Sequence, residues 1–243
     1  MSTVFSNAVA APADVARAVR VPPLQTGDRL TREEFERRYR ASPKHLRAEL
    51  IEGIVYILVP PVSADWHGVP HFELITLLGV YRWNTPGTQG GDNTSIRLDL
   101  KNEPQPDAYL RVLPNHGGQS QTSDDQFVVG APELVAEVAA SSASYDLHEK
   151  LTAYLRNGVQ EYVVWRTYDQ AVDWFMREND RFVLLKPDSL GILKSAVFPG
   201  LWLAATALLR GDDAQVEAVL REGLASAEHQ AFVARLAAQK NNG

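Results

Sequence analysis

Leu134-Val135-Ala136-Glu137-Val138-Ala139 sets one acid inside an otherwise apolar run, and Pro106-Asp107-Ala108 opens a second apolar run thirty positions earlier. The first reads as a central strand, apolar on both faces apart from Glu137. A carboxylate among Val, Leu and Ala is costly to bury unless it is paired or bound to a cation. The next residue on the same strand face is Ala139, so the partner must come from elsewhere. A helix beginning near Asp146 offers Lys150, which is flanked by Leu147, Leu151 and Tyr154 and so lies close to the buried stripe. Two acids and a lysine fixed on rigid elements can hold a hard metal ion beside a phosphate. Taken singly, the residues also admit plainer roles: a turn acid at a strand edge for Asp107, a structural salt bridge for Glu137, a snorkelling flank lysine for Lys150.

Working outward, Thr31-Arg32-Glu33-Glu34 has the form of a capping box and predicts a short helix. Leu50 to Val59 reads as one strand, with Gly53 as a bulge and Pro60-Pro61 as its end. His67 to about Trp83 reads as a helix with Val69, Phe72, Leu74, Ile75, Leu78 and Val80 on its apolar side. Gly87 to Asn93 reads as a loop, Thr94 to Leu100 as a half-buried strand, and Pro114 to Asp125 as a polar loop. Asp146 is expected to cap the next helix, which Gly158 ends. Tyr162–Trp165, Ala171–Met176 and Phe182–Leu185 follow as a three-strand meander, and Asp212 to about Lys240 as a helical tail. The order is that of a mixed α/β sheet flanked by helices.

The totals exclude several classes. The chain has 243 residues, 45% of them hydrophobic, which is enough for a full core. It has no cysteine, so disulfides, zinc–thiolate sites and thiol nucleophiles are excluded. No run is long and apolar enough to span a membrane, and Met1 to Pro23 lacks the basic start and apolar stretch of a signal peptide; the cytoplasm is the expected location. A net charge of −6 counts against tight nonspecific binding to DNA, although an acidic site neutralised by metal is compatible with it. His67 and His71 stand four apart, but no third histidine or cysteine completes a zinc set. The cluster Ser141, Ser142, Ser144 lacks the form of a nucleophile elbow, and no phosphate-binding glycine loop of the Walker type occurs.

Five segments together carry a family resemblance: Ala48-Glu49-Leu50-Ile51-Glu52-Gly53, Pro106-Asp107, Pro132-Glu133-Leu134-Val135-Ala136-Glu137-Val138, Asp146-Leu147-His148-Glu149-Lys150 and Gly158-Val159-Gln160-Glu161-Tyr162. In order and rough spacing the chain resembles the Uma-two family of the PD-(D/E)XK, restriction-endonuclease-like superfamily, over about residues 30 to 205. The resemblance implies a restriction-endonuclease-like α/β fold and phosphodiester hydrolysis, with DNA as substrate and Mg²⁺ or Mn²⁺ as cofactor. It implies that Asp107 and Glu137, with Glu49 as a third acid, bind metal, and that Lys150 is the catalytic lysine moved onto the helix. His67 matches a histidine often found at the start of the second helix, without an assigned role. Two departures lie beside the site: Ala140-Ser141-Ser142-Ala143-Ser144 replaces the usual Ser-Pro-Ser-Thr, and Gln160 replaces the usual proline before Glu161.

The expected organisation is a flexible arm over residues 1–26, a nuclease-like domain over 27–210 and a helical extension over 211–243. Val216, Val219, Leu220, Phe232, Val233 and Leu236 of the extension would suit a homodimer contact. The rival to a metal-dependent endonuclease is a catalytically silent module of the same fold that binds nucleic acid or protein. A structural dimer whose acids serve as salt-bridge partners is a third possibility.

Overall fold

The computed structural model describes residues 21–58 and 63–240. Most of the expected N-terminal arm, the Pro60-Pro61 strand end and the last three residues lie outside the described residues.

The chain begins with α1 (Arg32–Arg40), whose Thr31 side chain accepts from the Glu34 amide as the capping box predicts. Strands β1 (Arg47–Ile51) and β2 (Ile54–Leu58) follow, then a π-helical turn (Ala64–Gly68) that runs into α2 (Val69–Asn84). Next come β3 (Thr88–Asp92), β4 (Ile96–Arg97), β5 (Ala108–Val112), β6 (Gln121–Thr122), β7 (Val128–Val129) and β8 (Leu134–Ala139). The helical segment α3 (Ala143–Tyr145), a π-helical turn (Asp146–Lys150) and α4 (Leu151–Asn157) leads to β9 (Glu161–Arg166), β10 (Ala171–Glu178) and β11 (Arg181–Leu184). The chain closes with β12 (Ile192–Lys194), β13 (Trp202–Ala204), α5 (Ala205–Arg210), α6 (Asp213–Leu224) and α7 (Ala227–Lys240).

Six strands form the central sheet in the order β11-β10-β9-β8-β5-β3. Only β8 and β9 run parallel, joined by the helical crossover Ala143–Asn157; the other pairs are antiparallel. Alternation along β8 divides the core. Leu134, Ala136 and Val138 face one side, against Leu74, Leu77, Leu78 and Tyr81 of α2. Val135 and Ala139 face the other, against Tyr154 and Tyr162. Glu137 shares the second face, the one that the Ala143–Asn157 segment covers.

Several local expectations need correction. The strand expected over Leu50–Val59 is a hairpin: Ile51 pairs with Ile54, and Glu52 and Gly53 both take positive φ in a two-residue turn. Gly53 is therefore a turn glycine and not a bulge. Gly87–Asn93 is largely the edge strand β3, because Val112 and its neighbours in β5 give it a ladder partner despite its two glycines. The strand expected over Thr94–Leu100 shrinks to Ile96–Arg97, which joins the small sheet β4-β7-β6. The segment Pro114–Asp125 contains one of that sheet's strands, Gln121–Thr122. In α2 the buried stripe is Pro70, Leu74, Leu77, Leu78 and Tyr81, and Val69 and Phe72 lie off it in solvent.

The tail packs on its own chain. Leu220, Phe232 and Leu236 belong to the same buried cluster as Tyr81, Phe198 and the sheet residues, Val216 packs against it, and Val219 is buried with Ile192 and Ala204. Phe198 meets Tyr81 and Phe232 edge-on, with ring centroids 5.9 and 6.2 Å apart. A methyl group added at Gly223 would stand 2.4 Å from the Gly200 carbonyl oxygen, so α6 can approach the Gly200–Trp202 segment this closely only with glycine there. Five of the six residues expected to meet a second copy are thus packed in cis, while Val233 is half-buried outside these clusters. Phe232→Ala is expected to cost about 3–5 kcal/mol in urea unfolding. Truncation after Arg210 is expected to abolish the cooperative transition. A truncated chain that unfolds with the full-length midpoint would show the tail to be separate after all.

Candidate active site

Pairing places the two acids together. The β5–β8 register sets Ala108 opposite Ala136, and one step further the same register sets Asp107 opposite Glu137. Directly opposed residues on antiparallel strands share a face with their Cβ atoms about 4.5–5.5 Å apart. Hydrogen bonds fix the arrangement. The Asp107 amide donates to Glu137 Oε2 at 3.3 Å, and the Val138 amide donates to Asp107 Oδ2 at 2.7 Å. His71 Nε2 donates to the Asp107 carbonyl at 2.9 Å. His67 Nε2 stands 3.5 Å from Asp107 Oδ1, long for a hydrogen bond.

Lys150 comes from the helical segment that covers this face. Its ammonium lies 2.9 Å from Glu137 Oε1, 3.0 Å from Glu49 Oε1 and 3.7 Å from Asp146 Oδ1. All four side chains are buried. Glu49 arrives on β1, where Ala48 and Leu50 face a separate core with Phe35 and the acid projects the other way. Its Oε1 also accepts from the Gln105 amide at 2.7 Å, and its Oε2 from the Tyr145 hydroxyl at 3.3 Å. Tyr154 donates to Glu137 Oε1 at 3.0 Å.

Asp146 belongs to this cluster and does not cap the helix. It was expected as a helix cap, but the helical segment begins at Ala143 and Asp146 has helical dihedrals within it. Its side chain instead accepts from Ser142 Oγ at 2.6 Å and faces Lys150. The four-residue interval between Asp146 and Lys150 was the available signal, since residues so spaced share a helix face. Tyr154, four residues beyond Lys150, carries the same spacing signal, whereas Tyr145 left none.

The electrostatics follow from the count of charges. One ammonium faces three buried carboxylates. Burial is the main force raising the Glu137 carboxyl well above the usual range; Lys150 opposes it, while Asp146, Asp107 and Glu49 add to it. Burial likewise raises Glu49 and Asp146 against the pull of Lys150. Burial alone would lower the lysine, but Glu137, Glu49 and Asp146 outweigh it and hold Lys150 above its ordinary value. The lysine is therefore an ammonium, and the acids around it retain a proton more readily than free carboxylates do.

The cluster opens on a cleft of about 680 Å³ lined by Asp107, Glu137, Asp146, Lys150 and His67, with Arg47 and Tyr168 also on its walls. All five residues expected at the site meet here: Asp107, Glu137, Lys150 and His67 line the cleft, and Glu49 lies behind Lys150.

A mixed sheet that carries paired acids at a parallel crossover, with a lysine on the crossover helix, defines a nuclease-like α/β fold. Residues 32–206 match the family described as "Uma2: Putative restriction endonuclease", and the chain belongs to that family. The structure is similar to the crystal structure of a "putative nuclease belonging to DUF820" from Anabaena variabilis, with TM-score 0.57 and 13% sequence identity over 74% of this chain and 98% of that one. Among curated proteins none matches.

The raised Glu137 carboxyl gives a signed expectation. The folded state holds its proton to higher pH than the unfolded chain, whose glutamates titrate near about 4.3. Stability contributed by this group therefore falls as pH rises from that value through the raised one. In chelator, Glu137→Gln is expected to melt above wild type at pH 8 by about 2–4 °C per kcal/mol relieved. The difference should vanish toward pH 4. A variant melting well below wild type at pH 8 would mark Glu137 as a net stabilising ionised partner.

Proposed function

We propose that this chain is a divalent-metal-dependent endonuclease that hydrolyses phosphodiester bonds in DNA. The observation that carries the reading is the convergence of Asp107, Glu137 and Lys150 at one open cleft, with family membership in support. Mg²⁺ prefers oxygen donors, keeps several waters and uses one or two carboxylates. Among the described residues no group of three or more His, Cys, Asp or Glu side chains is set to hold a metal ion. Two carboxylates at an open cleft fit an ion that retains water, and Asp107 and Glu137 are the residues that would hold it. Mn²⁺ accepts the same donors. Once bound, such an ion supplies positive charge to the phosphate and lowers the pKa of a water.

The chain's own groups have distinct tasks in this reading. Lys150, held as an ammonium by three acids, is unsuited to take a proton from water. It stabilises the charge that builds on the phosphate oxygens and orients the attacking water. Glu49, the expected third acid, has one oxygen on Lys150 and the Gln105 amide and the other on Tyr145. In this arrangement it positions the lysine. Asp146 shares that work from the lysine's own helix.

Incubation with supercoiled plasmid is expected to give nicked and linear products with Mg²⁺ or Mn²⁺ and none with EDTA. Asp107→Ala and Lys150→Ala should each lower the rate by about 10²-fold or more. Saturating metal should raise the melting temperature of the wild type and not of Asp107→Ala. Cleavage that persists in EDTA, or in Asp107→Ala, would remove the metal-dependent reading. A wild type that binds DNA but never cuts it would instead favour the silent module.

A further inference from the structure

The cleft has a second chemical character that the acids and the lysine do not use. Tyr168, in the turn between β9 and β10, lines its wall and is 55% exposed. Trp66, in the π-helical turn before α2, is 43% exposed and meets Tyr168 edge-on, with centroids 5.0 Å apart and planes at 73°. The pairing is anchored: the buried Thr167 donates from Oγ1 to the Trp66 carbonyl at 2.8 Å. Two segments a hundred residues apart are thereby tied together beneath the rings. Neither ring belongs to the hydrophobic clusters that fill the interior.

Two large aromatic side chains held side by side in water present apolar faces that a planar ligand can cover. Elsewhere in the same cleft stands Arg47, exposed and hydrogen-bonded to Asn93 Oδ1 at 3.0 Å. Among the described residues it makes no ion pair with a carboxylate, so its guanidinium is available to a phosphate. Acids and a free cation in the cleft, with Tyr168 on its wall and Trp66 packed beside Tyr168, suit a nucleic-acid strand whose bases are not paired. Within a duplex the base faces are stacked on one another and cannot meet a side chain.

We infer that Tyr168 and Trp66 form a stacking platform for an unpaired base of the strand in the cleft, so that single-stranded or locally unpaired nucleic acid binds in preference to intact duplex. The inference rests on the nucleic-acid reading of this cleft. It does not require that cleavage occur. Stacking of this kind is tolerant of sequence.

The test is equilibrium binding of the full chain in EDTA, by fluorescence anisotropy, to a labelled single strand and to the same strand in a duplex. Trp66→Leu/Tyr168→Leu, which keeps apolar bulk but removes the aromatic faces, is expected to weaken single-strand binding about tenfold. Duplex binding should stay nearly unchanged. Trp66→Phe/Tyr168→Phe should bind as wild type, and if the leucine variant fails to fold by circular dichroism, Tyr168→Leu alone carries the same expectation. Equal losses on both forms, or no loss on either, would overturn the platform. So would a changed sedimentation coefficient with unchanged strand binding, which would assign the rings to self-association. Because no turnover is needed, a protein that shows the single-strand effect but never cuts would sink the nuclease reading and leave the platform standing. A protein that cuts without the effect would do the reverse.

Discussion

The Lys150 ammonium among Glu49, Glu137 and Asp146 is the interaction on which the rest of the site depends. It joins the β1–β2 hairpin, a hundred residues away, to the central strand β8 and the crossover helix that follows it. Removing one partner from a buried ion pair typically costs about 3–5 kcal/mol, because the other is left without compensation. Here one cation serves three anions, so the cluster is under-compensated from the start. Burial, with that imbalance added to it, keeps the carboxyl protons bound to higher pH. A site of this kind contributes little stability of its own; the surrounding apolar clusters hold it in place.

Asp107 stands apart from that cage although it shares the cleft. Its Oδ2 is held by a backbone amide and its carbonyl by His71, so both ends of the residue are oriented by the frame. Glu137 is the common member. One of its oxygens faces Lys150 and Tyr154, and the other, among the described residues, receives only the long contact from the Asp107 amide. The pair thus turns one edge toward the lysine and the other toward open space. This division sets a buried salt-bridge cluster directly behind a carboxylate pair that lines the cleft.

The frame itself is completed from the C-terminus. One face of the sheet is covered by α2 together with α6 and α7, and the other by the crossover helix that carries Lys150. His229 links the last helix to the end of α2: its Nε2 lies 2.9 Å from Thr85 Oγ1, and its Nδ1 donates to the Leu224 carbonyl at 2.9 Å. The family match ends at residue 206. The two helices beyond it nonetheless bury Leu220, Phe232 and Leu236 in the same core as the sheet.

The sequence by itself determined the helices, the central strand, the late meander and the central anomaly, but not the glycine-rich edge strand β3 or the β1–β2 hairpin. Glu137 in an apolar strand, Asp107 at the head of another and Lys150 beside a helical stripe are local patterns, readable because burial of a charge demands a partner. The β9–β11 meander and the Thr31 cap were legible for the same reason, as each is specified within a few residues. Tertiary structure alone decided where the partners stand. The β5–β8 register, which sets Asp107 against Glu137, is a pairing across thirty residues. Glu49 reaches Lys150 across a hundred, and Asp146 looks like a cap until the helix is seen to begin earlier. The tail's apolar stripe announces that something must cover it and cannot name what does, because the hydrophobic effect is non-directional. Only the packing shows that the cover is Tyr81 and Phe198 of its own chain.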